Sequence, residues 1–235
     1  DGAKLGDGVS IGPFCIVGSD AVLGDGVELI SHAIVTGRTT VGPNCRIFPF
    51  ASIGHRPQDL KFAGEPSTLE IGANVTIREH VTINPGTRGG GMITKIGDNC
   101  LIMIGVHIGH DCIIGNNVIM SNNVTFAGHC RVDDFVVMSG YSGATQFVHI
   151  GAHAFVGGLS KVERDLIPYG TAVGNPARFM DRGPARSRRT RTHALGRRSG
   201  PGAKHRDKLR RRELEQLGQG RQEKLSCFVN GLPAR

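Results

Sequence analysis

The chain has 235 residues with no Trp, two Tyr and ten Phe but 35 Gly, which argues against a core of large aromatic side chains and suits a stack of tight coils. No apolar run approaches the ~20 residues of a membrane span, and no secretory leader pattern opens the chain, although its start at Asp1 leads us to expect an upstream start. The net charge of +8 is one-sided: from Arg178 to Arg235 there are 17 Lys+Arg against 5 Asp+Glu, so a nucleic-acid reading of the basicity would concern that tail alone.

A six-residue register runs through the rest. From Leu5 it steps to Ile11, Val17, Leu23, Leu29, Val35, Val41, Ile47 and Ile53. It resumes at Ile71, Ile77 and Ile83, and again from Ile96 through Ile102, Ile108, Ile114, Met120, Phe126, Val132, Met138, Ala144, Ile150 and Val156 to Val162. Every index position is apolar, and a small residue such as Val9, Cys15, Ala21 or Val27 stands four places later. Two inward residues per hexad describe a short strand, a corner and the next strand, and three strands close a triangular coil of about 18 residues. The 24 hexads predict an all-β parallel helix of about eight coils. Glycine follows the index residue in twelve hexads, where we expect sharp turns of positive φ. Cys15, Cys45, Cys100, Cys112 and Cys130 all occupy the small inward position, so they read as buried reduced thiols, as expected of a cytoplasmic protein.

Two breaks interrupt the register, at residues 54–70 and 84–95, and insertions in a solenoid leave as loops that often build a binding site. Beyond them, His107-Ile108-Gly109-His110-Asp111 and Ala127-Gly128-His129 place His110 and Gly128 18 residues apart, on neighbouring coils. Three imidazoles then share one patch. Metal ligation fits such a cluster, and so does general base catalysis by one His oriented by a carboxylate. Spacing leaves both open. His32 and His80, three residues past their index positions, read as solvated surface residues.

His107-Ile108-Gly109-His110-Asp111-Cys112, Val132-Asp133-Asp134-Phe135 and above all Gln58-Asp59-Leu60-Lys61-Phe62-Ala63-Gly64-Glu65-Pro66 resemble the UDP-N-acetylglucosamine O-acyltransferases that open lipid A synthesis, members of the hexapeptide-repeat acyltransferases. The resemblance runs from about Gly8 to Ala177 and implies a left-handed helix for residues 1–177. It implies transfer of a 3-hydroxyacyl group from acyl carrier protein to the sugar 3-hydroxyl by a cytoplasmic homotrimer. The donor brings its own phosphopantetheine, and no other cofactor or metal is implied. In these roles His110 is the general base, Asp111 orients it, and the Gly128 N–H stabilises the oxyanion. Asp59 and Lys61 hold the sugar nucleotide; His107, His129 and Gln146 complete the pocket. Asn122 lines the acyl groove, and Gly158 gauges chain length, its missing side chain favouring a long acyl group.

The chain departs from the family in two places. Thr145-Gln146-Phe147 stands where the family has His-Gln-Phe, and after Arg178 a Gly- and Arg-rich sequence such as Arg186-Ser187-Arg188-Arg189-Thr190-Arg191 replaces the family's helical domain. We expect residues 178–235 to form a largely disordered basic tail with at most one short helix near 208–224. Two alternatives follow: an inactive or scaffold β-helix trimer, and a related UDP-sugar N-acyltransferase, against which the Gln58–Pro66 loop argues. A metal-dependent hydratase is a third chemistry for the same imidazoles.

Overall fold

The computed structural model describes residues 2–182. They form three sheets wound into a parallel β-helix of triangular section. The first sheet runs in eight strands from Lys4–Leu5 to His149–Ile150 and the third in eight from Ile16–Val17 to Lys161–Val162. The second has ten strands, from Ser10–Ile11 through Phe155–Val156 to a closing pair, Gly170–Val173 and Arg178–Arg182. Every pairing is parallel and in register except that last, antiparallel pair. Most strands are only two residues long, because in each hexad the other four residues build the corner. The stacking repeat follows the expected 18, as in Leu101 beside Ile119 beside Val137 beside Phe155.

Burial follows the hexad. Index residues from Leu23 to Val162 are buried, as are the small residues four places on, including Cys45, Cys100, Cys112 and Cys130. All four thiols are free and donate to carbonyl oxygens, as Cys112 Sγ does to Ala127 O and Cys130 Sγ to Thr145 O at 3.2 Å. Cys15 is only half-buried, because among the described residues no coil stacks beneath the first one. No helix among the described residues is long and apolar enough to cross a membrane.

The corners correct one expectation. Positive φ falls three places after the index residue, at Asn44, Asn74, Asp111, Asn117, His129 and others, while of the twelve glycines that follow an index residue only Gly54 adopts it. Those glycines answer a different constraint, the close approach of the next coil. A Cβ at Gly42 would fall 2.6 Å from the Gly72 carbonyl carbon and one at Gly97 2.6 Å from Asn116 Oδ1. We therefore expect Gly42→Ala to destabilise the fold by about 1–3 kcal/mol, the usual cost of overpacking, measured as a lower denaturant midpoint. Asn44→Gly, at a true positive-φ corner, should be close to neutral.

His32 and His80 are exposed, as expected, but not merely solvated. They alternate with Phe14 and Phe50 in a column of rings whose centroids lie 4.8–5.2 Å apart along the corner between the second and third sheets. The tail beyond Arg182, with its short candidate helix, lies outside the described residues.

Candidate active site

Both insertions leave the third sheet and return to the first: residues 54–67 separate Ser52–Ile53 from Thr68–Ile71, and 84–92 separate Thr82–Ile83 from Ile93–Ile96. The same corner carries the histidine patch on the next three coils. His110, Gly128 and Gln146 stand two places after Ile108, Phe126 and Ala144; Asp111, His129 and Phe147 stand three places after. Backbone bonds tie these corners together, His129 N donating to His110 O at 2.9 Å and Phe147 N to Gly128 O at 3.3 Å. Asp111 and His129 take left-handed backbone at φ 60° and 66°, a conformation that Asp and His tolerate better than most residues.

The Asp111 side chain is fully buried, and its burial comes from the second insertion. Thr87 folds back over it, donating from its N–H to Oδ1 at 2.8 Å and from its hydroxyl to Oδ2 at 2.6 Å. Gly90 lies so close that any Cβ there would collide with the carboxyl group. The Asp111 N–H donates in turn to Thr94 Oγ1 at 2.8 Å. Oδ2 also meets His110 Nδ1 at 2.8 Å. A buried carboxylate at Nδ1 keeps the imidazole proton there and leaves the Nε2 lone pair free. That nitrogen faces the neighbouring coil at Gly128, where a Cβ would lie 2.6 Å from it. Only glycine leaves room for this ring.

His129 stacks on Phe147 (4.5 Å between centroids, 6° between planes) and meets His110 edge-on at 4.9 Å. Its Nδ1 lies 3.9 Å from Asp111 Oδ2, too far for a hydrogen bond. His110, Asp111 and His129 are also the one group of possible metal ligands found among the described residues, with their ligand atoms within 4.8 Å of one another. His107 projects from the strand His107–Ile108 and its Nδ1 is 2.7 Å from Thr82 Oγ1. Burial, aided by the nearby His110, pushes the His107 pKa down and favours its neutral form.

The structure thus brings His107, His110, Asp111, Gly128 and His129 together, with Gln146 exposed beside them. Asp59 and Lys61 lie in the first insertion, where Asp59 Oδ1 accepts the Lys61 N–H at 3.0 Å; the Lys61 ammonium makes no ion pair among the described residues. Asn122 and Gly158 belong elsewhere. They follow Met120 and Val156 at the corner between the second and third sheets, so one chain does not bring them to His110. Thr145, in place of the family's His, is half-buried, and its hydroxyl is 3.3 Å from Val162 O.

Thr87, Thr94, Gly90 and Glu65 carry much of the arrangement and were not singled out from the sequence. Glu65 joins the insertions, accepting the Ala63 N–H at 2.8 Å and the Arg88 N–H at 3.0 Å, and these donors, Arg88 first, lower its pKa. Thr87 positions Asp111 and through it His110. Thr87→Val should lower turnover about tenfold, the usual scale for losing a supporting hydrogen bond, with KM little changed. Thr87→Ser should restore most of it in a steady-state assay.

The chain has relatives among known proteins. Residues 93–128 match the bacterial transferase hexapeptide (six repeats) family. The chain is 55% identical over 176 residues to the acyl-[acyl-carrier-protein]–UDP-N-acetylglucosamine O-acyltransferase of Rhizobium johnstonii and 51% identical to that of Sinorhizobium fredii, matching 75% of this chain in each case. It spans 65% of the length of each of those relatives. Among solved structures, a UDP-N-acetylglucosamine acyltransferase superposes with a TM-score of 0.75 at 45% identity, covering 76% of this chain and 69% of its own. LpxA from Acinetobacter baumannii gives 0.75 at 43%, covering 76% and 69%. With three parallel sheets, an 18-residue coil and these relatives, the chain belongs to the UDP-N-acetylglucosamine acyltransferase family and has its left-handed β-helix.

Proposed function

We propose that this chain transfers a 3-hydroxyacyl group from acyl carrier protein to the 3-hydroxyl of UDP-N-acetylglucosamine, the first step of lipid A synthesis. The observation that carries the reading is the His110–Asp111 pair, with Nδ1 engaged and Nε2 free beside Gly128. His110 Nε2 takes the proton of the sugar 3-hydroxyl as its oxygen attacks the thioester carbonyl carbon. The carbonyl oxygen becomes an oxyanion, and the Gly128 N–H, which donates no hydrogen bond among the described residues, is available to it. Collapse breaks the carbon–sulfur bond, and the departing thiolate takes the proton back from His110. Asp111 holds the ring at Nδ1 and stabilises the imidazolium between the two transfers.

Asp59 and Lys61 hold the sugar nucleotide, and His107, His129 and Gln146 close the pocket. The enzyme needs no cofactor of its own, since phosphopantetheine arrives on the carrier protein. Asn122 and Gly158 lie on another corner of the same chain, and they reach an acyl group held at His110 only from a second copy. That arrangement supports a homotrimer with its sites between subunits. A Cβ at Gly158 would fall 3.3 Å from Gly140 O, a tight contact, so glycine there also serves the close stacking of coils; its missing side chain favours a long acyl group. Four buried free thiols fit a cytoplasmic site of action.

The test is a transfer assay with 3-hydroxymyristoyl-acyl carrier protein and UDP-N-acetylglucosamine, alongside light scattering for the trimer mass. Product formation by a trimer is the expected result. A folded trimer without turnover would turn the reading toward a scaffold, with Thr145 as the first suspect. Acylation of a 3-amino sugar in preference would change the acceptor of the same reaction, and transfer only to the amino group of an already O-acylated UDP-sugar would turn the reading toward the N-acyltransferase.

A further inference from the structure

We propose that the His110–Asp111–His129 cluster is also an inhibitory site for a first-row transition metal ion, zinc in particular. The inhibitory half rests on the acyl-transfer reading; the binding half does not.

The three ligand atoms lie within 4.8 Å of one another and come from two neighbouring coils. Two neutral imidazoles and a carboxylate are a donor set that zinc takes readily, with bonds of about 2.0–2.2 Å and ligand atoms about 3.3 Å apart in a tetrahedron. The two separations from Asp111 Oδ2 straddle that value, 2.8 Å to His110 Nδ1 and 3.9 Å to His129 Nδ1, and the two imidazole nitrogens, within 4.8 Å of each other, close toward it on binding. Side-chain shifts of about half an ångström bring the two Asp111 separations to it, and a rotation of the partly exposed His129 ring supplies the rest.

Each ligand is already held by a neighbour that is not one. Thr87 fixes both carboxylate oxygens of Asp111, the Phe147 ring fixes the plane of His129, and Gly128 bounds His110. Little freedom therefore remains to be lost on binding. The His129 side chain is 18% exposed and the His110 side chain 11%, which leaves the cluster open to solvent on one side.

The consequence for catalysis follows from the two imidazole nitrogens. An ion between His110 Nδ1 and Asp111 Oδ2 replaces the proton shared there. That proton moves to Nε2, which becomes a donor and loses the lone pair needed to deprotonate a hydroxyl. Zinc binding and base catalysis therefore exclude each other on the same ring.

The experiment is isothermal titration of ZnCl2 into the full chain and into the Asp111→Asn and His129→Gln variants, with circular dichroism to establish that each is folded. Co2+ titration reports the coordination through its visible absorption. The proposal expects one zinc per chain, affinity lower by about tenfold or more in either variant, and the strong visible bands of tetrahedral cobalt. Zinc should also slow transfer in the wild type, and EDTA should restore the rate. Unchanged affinity in both folded variants, or no stoichiometric binding, would overturn it. Zinc binding in a chain that shows no transfer under any condition would leave the metal site standing and remove the acyl-transfer reading instead.

Discussion

His110→Ala will lose turnover by about 10²–10⁴-fold, the range expected of a general base, and will keep its fold. The two halves of that outcome have separate causes. His110 is the ring whose Nδ1 is held by a fully buried carboxylate while Nε2 faces the Gly128 corner. His107 engages its own Nδ1 with Thr82, and His129 is stacked flat on Phe147, so neither offers the same oriented base. The fold survives because His110 projects from a corner rather than into the core, and Asp111 keeps both donors from Thr87. Single-turnover rates and thermal unfolding of the same preparation check both halves. A variant with near wild-type turnover would move the base to another residue. Lost helical structure would show instead that the side chain is structural.

Phe126→Ala carries the largest expected loss of stability, about 3–5 kcal/mol, as for other buried Phe truncations. Phe126 is fully buried, and its neighbours in the third sheet are Ile108 below and Ala144 above. The small Ala144 side chain leaves volume that the phenyl ring fills. The resulting cavity has little means of closing, because the backbone is bonded to both adjacent coils, Gly109 N to Phe126 O at 3.0 Å and Ala127 N to Ala144 O at 3.1 Å. The void also lies beneath Ala127-Gly128-His129, so turnover should fall with stability. Phe147→Ala is the internal comparison. That ring is 70% exposed and supports only His129, so its loss should cost under about 1 kcal/mol. Guanidinium unfolding of the two variants separates them.

The difference between those two phenylalanines was already legible in the sequence. Phe126 falls on an index position and Phe147 three places after one, and the hexad assigns the first inward and the second outward. The same count placed His110 and Gly128 on adjacent coils and both insertions at the breaks. Its failures have a common origin. A period reports which residues face inward, but not why a corner residue is glycine, since close approach and positive φ select the same amino acid. A period is equally silent about an insertion's path. Asp111 holds a position that elsewhere on this helix points to water, as His153 and Tyr141 do, and it is buried only because Thr87 and Gly90 fold back over it. Thr87 could be read as a loop residue, but its bond to a carboxylate 24 positions away depends on how the loop closes.

The in-register 18-residue coil makes change in this molecule discrete. Each coil bonds only to the one before and the one after, as Lys95 to Ile113 and Ile113 to Arg131, and adds about 4.8 Å along the axis. Gain or loss of a whole coil outside residues 82–147 would leave the contacts described for the His110 corner intact, whereas a shift of one residue would turn inward faces outward. Descent by duplication and deletion is therefore open to this protein in steps of one coil. An extra coil inserted between Phe147 and Gly158 would displace Gly158 by one such step along the axis while leaving those contacts in place.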